Sequence, residues 1–152
     1  MNSSYVSFYN DEHYIYCVES FMPLDVYFKN LKICRSQDYV IMLEKNYDPV
    51  LYFHRSDINN NYIEEYKNNS FMISKNDNNG DEKCPYKGNI TWYSIVYNKE
   101  IEEKAGWSYN KPPEYIKTIE NLMAFYNNKI DVFYKGNKIS ISDVLNKILC
   151  VE

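Results

Sequence analysis

The chain is 152 residues long, with a formal net charge of −4, 45% hydrophobic residues and an aromatic fraction of 17% that includes 17 tyrosines. That length suits one domain with its own buried core and no need of covalent staples. The negative balance supplies no positive field to attract a phosphate backbone, so nucleic acid is not expected as a partner.

Along the chain, Tyr5 to Phe8 and Tyr14 to Val18 read as short strands around a polar Asn10-Asp11-Glu12 turn. Val26 and Phe28, a Lys29-Asn30 turn, then Leu31 and Ile33 alternate as a hairpin does. Tyr39 to Leu43 and Val50 to Phe53 form a second β-rich pair, separated by a segment of turn composition. Residues 58–83 are dominated by Asn, Asp, Glu and Lys around one apolar island, Phe71-Met72-Ile73, and read as an inserted loop with at most one short element. Asn89 to Tyr97 is apolar on both alternating faces, which predicts a central strand, and Asn98-Lys99 is a turn signal. Leu122 to Tyr126, Asn127-Asn128 and Lys129 to Phe133 predict a further hairpin. Ser142 is the expected N-cap of a short helix over 142–150. Many short strands without a βαβ alternation predict a mostly β protein of antiparallel sheets, a single domain over 1–152 with the C-terminal helix appended.

Met1 to Asn10 has neither a basic region nor an apolar run, and no stretch approaches the roughly 18 apolar residues of a membrane span, so a cytoplasmic or nuclear protein without membrane association is expected. Cys17, Cys34, Cys84 and Cys150 contain no C-x-x-C pair. Reduced thiols are expected, and no metal or other cofactor.

Two segments carry candidate chemistry. In Cys84-Pro85-Tyr86-Lys87-Gly88, proline fixes φ and glycine permits close backbone approach, giving a shaped corner ahead of the central strand. A thiol beside an ammonium there is either an acidified nucleophile or part of an anion-binding pair, which makes Cys84 and Lys87 the catalytic candidates. The alternative is a half-buried cysteine packed as a small hydrophobe with Lys87 solvated. In Ala105-Gly106-Trp107-Ser108-Tyr109, an extended backbone puts Trp107 and Tyr109 on one side, where they either stack on a planar ligand or close one end of the core.

Val50-Leu51-Tyr52-Phe53 with Asp57, the Cys84 to Gly88 block, Ala105 to Tyr109 with Pro112, and Ile119 with Ala124-Phe125-Tyr126 follow in the order of a known family. In these motifs the chain resembles the family catalogued as domain of unknown function four-two-seven, over about residues 25–134. Ser36 and Glu44 fit its pattern more weakly. His54 stands where the family commonly has Pro, Asn121 where it commonly has Gly, and the insertion before Cys84 is longer. The resemblance implies a β-tent fold of two sheets meeting at an angle. Many β-tent proteins hold zinc on two C-x-x-C knuckles, which this chain lacks. A nucleotidyltransferase-like label has also been attached to the family, but Asp77, Asp81-Glu82, Glu64-Glu65 and Glu102-Glu103 do not make the paired-carboxylate site that such chemistry needs.

Three functions follow as expectations. The first is a domain binding a small polar or anionic ligand, with charge from Lys87, walls from Tyr86, Trp107 and Tyr109, and anchors from Tyr52, Glu44 or Asp57. The second is an enzyme using the same cleft, with a nucleotide-type substrate as one option. The third is a protein-interaction module using a tyrosine-rich surface.

Overall fold

The computed structural model describes residues 4–10, 13–67, 83–84 and 87–150. Two antiparallel sheets and a C-terminal helix make up the fold. Strands β1 (Ser4–Asn10) and β2 (His13–Ser20) pair with each other, as do β3 (Leu24–Phe28) with β4 (Leu31–Ser36) and β5 (Tyr39–Glu44) with β6 (Val50–Phe53). All three pairs fall where the sequence reading expects them, the middle one from its alternation. Lys29 and Asn46 take the positive φ of 55° and 73° that their turns require.

In the predicted loop, a short turn at Asn60–Tyr62 leads into β7 (Ile63–Glu65), which pairs with β9 (Gly88–Tyr97). Strand β8 (Lys83–Cys84) also pairs with β9, placing Cys84 opposite Gly88. Asp77, Asp81, Glu82 and the Phe71-Met72-Ile73 island lie outside the described residues.

Strand β10 (Glu100–Tyr109) pairs with β9 through Asn98 and Lys99, both at positive φ (55° and 68°). Ten residues of strand were hidden in the sequence because the first half is polar and exposed while residues 105–109 are buried without alternation. The pairing register shifts between Glu102 and Gly106, with Lys104 at φ 53°. This bulge re-aims the strand. The Glu102 carboxylate accepts from Lys129.

One prediction is overturned. β11 (Met123–Phe125) and β12 (Asp131–Tyr134) are not a hairpin: β11 pairs with β6 and β10, and β12 pairs with β3 and β13 (Asn137–Ile139). Asn127–Lys129 forms a helical turn that carries the chain from one sheet to the other. The tight turn is instead Lys135-Gly136, both at positive φ (52° and 82°), the geometry that joins β12 to β13. The larger sheet therefore runs β1-β2-β5-β6-β11-β10-β9-β7, and the smaller β13-β12-β3-β4.

Helix α1 spans Ile141–Cys150. Its cap is Ser140 rather than Ser142: the Asp143 N–H donates to Ser140 Oγ at 3.0 Å, and the Ser140 N–H points back to Asp143 Oδ2 at 3.5 Å. No helix among the described residues is long and apolar enough to cross a membrane.

Period-two alternation sends the larger sheet's side chains into two separate cores. One face contributes Tyr39, Ile41, Leu51, Phe53, Met123 and Phe125, which pack against Val26, Phe28, Ile33 and Val132 of the smaller sheet and Val144 of α1. The other face carries Cys17, Met42, Tyr52, Ala124, Trp107 and Trp92, partly covered by Ile116 and Ile119 of a turn at Glu114–Ile119. Each fully buried side chain of this size contributes roughly 1.5–3 kcal/mol. Strands flanked by two cores are apolar on both sides, which explains the pattern of β9.

Candidate functional site

The second core is open at one end. Register sets its floor: Val40 lies opposite Tyr52, Tyr52 opposite Ala124, Ala124 opposite Trp107, and Trp107 opposite Trp92, one row across β5, β6, β11, β10 and β9. Ala124 is the small member, leaving room for the aromatics on either side. Tyr52 and Trp107 meet edge to face, with centroids 6.4 Å apart, and the Trp107 Nε1–H donates to the Tyr52 hydroxyl at 3.2 Å. The neighbouring glycine is required, since a Cβ on Gly106 would stand 2.8 Å from the Ala124 carbonyl oxygen and 2.9 Å from Phe125 Cδ1.

Above this row lies a cavity of about 650 Å³, within the ordinary range for small-molecule sites. Trp92, Trp107, Tyr109 and Tyr126 supply ring walls, and Glu44, Asp48, Lys87, Asn127 and Asn128 supply polar groups. Tyr126 stacks nearly parallel to Trp92 (6.1 Å, 15°) and leans on Trp107 at 4.8 Å, while remaining 41% exposed. Trp107 and Tyr109 face the same side, as extended backbone demands, with Tyr109 opposite Ile90 on β9.

The charges are arranged differently from the sequence-based expectation. Lys87 is not solvated but 8% exposed, and its Nζ donates to Glu44 Oε1 at 2.7 Å. The other Glu44 oxygen lies 2.6 Å from His13 Nε2. Glu44 ends β5 and His13 begins β2, so the strand register brings both to the wall that the Lys87 turn closes. Lys87 Nζ also sits 5.9 Å from the ring centres of Tyr47 and Tyr109. Gly88, at φ 92°, lets this turn pass the Lys111 carbonyl oxygen, which a Cβ would approach to 3.1 Å.

Cys17 belongs to the same core, and its thiol is pushed up to about 12, first by burial and then by the Glu44 carboxylate, with Lys87 acting in the opposite direction. It is an inert thiol, not a nucleophile. The Trp92 indole is 9% exposed, and among the described residues its Nε1–H has no acceptor. Buried donors are nearly always paired, so this one stands out.

Of the residues named from sequence, Glu44, Tyr52, Lys87, Trp107 and Tyr109 converge on the cavity. Asp57 does not: it accepts from Ser36 Oγ at 2.7 Å, where the loop after β6 meets the end of β4. Tyr86 lies outside the described residues, and Cys84 is described only as backbone in β8. Sequence reading missed Trp92, Tyr126, Asp48 and His13 as site residues. The first two carried a signal, Trp92 as an aromatic residue of the central strand and Tyr126 as the end of the Ala124-Phe125-Tyr126 motif; His13 and Asp48 carried none. Among the described residues, no group of three or more His, Cys, Asp or Glu side chains is placed to hold a metal ion.

A family model described as domain of unknown function (DUF427) matches residues 16–136. The chain belongs to the DUF427 family. No curated protein matches it. The DUF427 match reaches further toward the N-terminus than the motifs do and takes in the cavity residues from Glu44 to Tyr126, with His13 just upstream. The two substituted positions fit their backbone. His54 has φ −68°, the angle that proline imposes. Asn121 has φ 64°, which glycine adopts freely and asparagine tolerates best among other residues.

Proposed function

We propose that this DUF427 domain binds a small polar ligand carrying a planar group, held in the cavity between the rings of Trp107, Tyr109 and Tyr126. The reading is carried by the convergence of Lys87 and, from a separate stretch of the chain, Trp107 and Tyr109 on one cavity of about 650 Å³. The buried Trp92 N–H supports it further, because a ligand acceptor would satisfy a donor whose isolation costs about 1–3 kcal/mol. Lys87 helps shape the wall, but its charge is already answered by Glu44, so the case for an anionic ligand loses its main support.

The chain has two tryptophans, Trp92 and Trp107, and both line this cavity. Intrinsic tryptophan fluorescence is therefore a local reporter. A fragment library screened in parallel by fluorescence and thermal shift should yield compounds that move both signals, with both changes diminished in Tyr126→Ala. Saturating ligand at about 100 times Kd adds about 2.7 kcal/mol of stability. Compounds that raise Tm without altering tryptophan emission, or that bind Tyr126→Ala unchanged, would place binding elsewhere and overturn the proposal.

A further inference from the structure

We propose that the Trp92 indole N–H is the hydrogen-bonding anchor of the cavity, and that the ligand it selects is an uncharged planar ring system with an acceptor at its edge, as in a pyridine-type nitrogen or a ring carbonyl. The inference rests on the ligand-binding reading above and names its ligand class.

Trp92 and Trp107 lie opposite each other on β9 and β10, and both line the cavity, yet their N–H groups are treated differently. Trp107 donates to the Tyr52 hydroxyl at 3.2 Å. Trp92 is as buried as Trp107, but its N–H has no acceptor among the described residues. The neighbours of Trp92 engage its ring instead. Tyr126 stacks on it at 6.1 Å, Trp107 meets it at 6.0 Å and 61°, and Lys104 Nζ stands 4.8 Å from its centre. A buried donor left without an acceptor is rare in folded proteins, and this one belongs to a side chain of the cavity lining.

Water does not answer it, since the nitrogen itself is buried. A planar ligand has a means that water lacks: its stacking against the lining rings offsets the small side-chain shifts that admit an in-plane acceptor. An indole N–H only donates, so the ligand must bring the acceptor. That acceptor needs no charge. Among the described residues Lys87 is the one Lys or Arg of the lining, and Glu44 holds its ammonium at 2.7 Å. A carboxylate leaving water would thus gain a neutral donor and no free cation, whereas a ring nitrogen or carbonyl gives up far less hydration for the same bond.

The test uses isotope-labelled protein observed by NMR, in which each tryptophan gives one indole N–H signal and Trp92→Phe assigns the pair. Quinoline, naphthalene and naphthoate share one ring frame and are titrated at neutral pH. Quinoline should move the Trp92 indole proton downfield and bind about 2- to 10-fold tighter than naphthalene, as expected for one neutral hydrogen bond, with naphthoate weaker than quinoline. In Trp92→Phe, where the Trp107 signal reports on the fold, the preference for quinoline should vanish; the shift in the unsubstituted protein tests the bond independently of that variant. A Trp92 proton that quinoline moves no more than naphthalene does, a preference retained in Trp92→Phe, or naphthoate binding tighter than quinoline overturns the inference while the cavity reading stands. If none of the three probes moves either indole signal, the cavity reading fails with it.

Discussion

The buried pair of Lys87 and Glu44 gives the sharpest quantitative test. At 2.7 Å and an effective dielectric constant of about 20, their gross attraction is about 6 kcal/mol. Removing both ions from water costs several kcal/mol each, so the intact pair is close to neutral for stability. Breaking it is another matter. Glu44→Gln keeps an acceptor near Nζ but strands an ammonium that is only 8% exposed, and the expected cost is roughly 3–5 kcal/mol. In a chain of this length that lowers Tm by roughly 6–20 °C.

Lys87→Met should cost less, because Glu44 keeps His13 at 2.6 Å. The double variant Glu44→Gln with Lys87→Met should regain most of the loss, since neither charge remains. Urea denaturation of the four proteins closes a double-mutant cycle, with an expected coupling of about 2 kcal/mol or more for a buried contact pair. If Glu44→Gln costs under about 1 kcal/mol and the two changes simply add, the pair behaves as a surface salt bridge, and the account of Lys87 as a neutralised wall residue fails.

Three other predictions follow from the same geometry. Burial pushes Cys17 and Tyr39 up to about 12 from ordinary values of 9.0 and 10.0, and Cys34 in the same direction, so the folded state keeps protons that the unfolded chain releases. Stability should then be full below about pH 9 and fall as pH rises toward 12, more shallowly in Cys17→Ala; urea midpoints of the two proteins that fall in parallel over that range would contradict it. Ser140→Ala should cost about 1 kcal/mol through loss of the α1 cap, whereas Ser142→Ala should change the urea midpoint little; equal losses would move the cap. Trp107→Phe should cost about 1 kcal/mol more than Trp92→Phe, because among the described residues Trp107 has an acceptor for its indole N–H and Trp92 has none; equal costs in the absence of ligand would mean that the Trp92 N–H is satisfied after all.

The fold was legible at strand pairs that have a clear turn between two apolar runs. Lys29-Asn30 and the polar segment after Leu43 each separate strands that do pair. The reading failed where a turn signal and a pairing partner part company. Asn127-Asn128 looks like a hairpin turn, yet β11 already has two partners in β6 and β10, so the chain beyond it joins the other sheet. Strand β10 escaped notice for a different reason: its exposed half and its bulge break the period-two pattern, and burial on both faces removes what alternation remained.

The aromatic wall and the charge pairing of the site obey different rules of visibility. Trp107 and Tyr109 are two residues apart in one strand, so extended backbone alone put them on the same side. Lys87 and Glu44 are 43 residues apart, and Glu44 and His13 are 31 apart, joined only by the order β2-β5 and by the turn before β9. Nothing local marks that encounter, and from Cys84-Pro85-Tyr86-Lys87-Gly88 alone the lysine reads as a free cation on a corner. Once its carboxylate partner is in place, the same corner works as a side of the cavity, and discrimination passes to the other groups of the lining. Those include the Trp92 N–H and the rings of Trp107 and Tyr126. A ligand selected by them is recognised by its planarity and an acceptor, and variants of Lys87 should alter the stability of the protein more than the chemical class of what it binds.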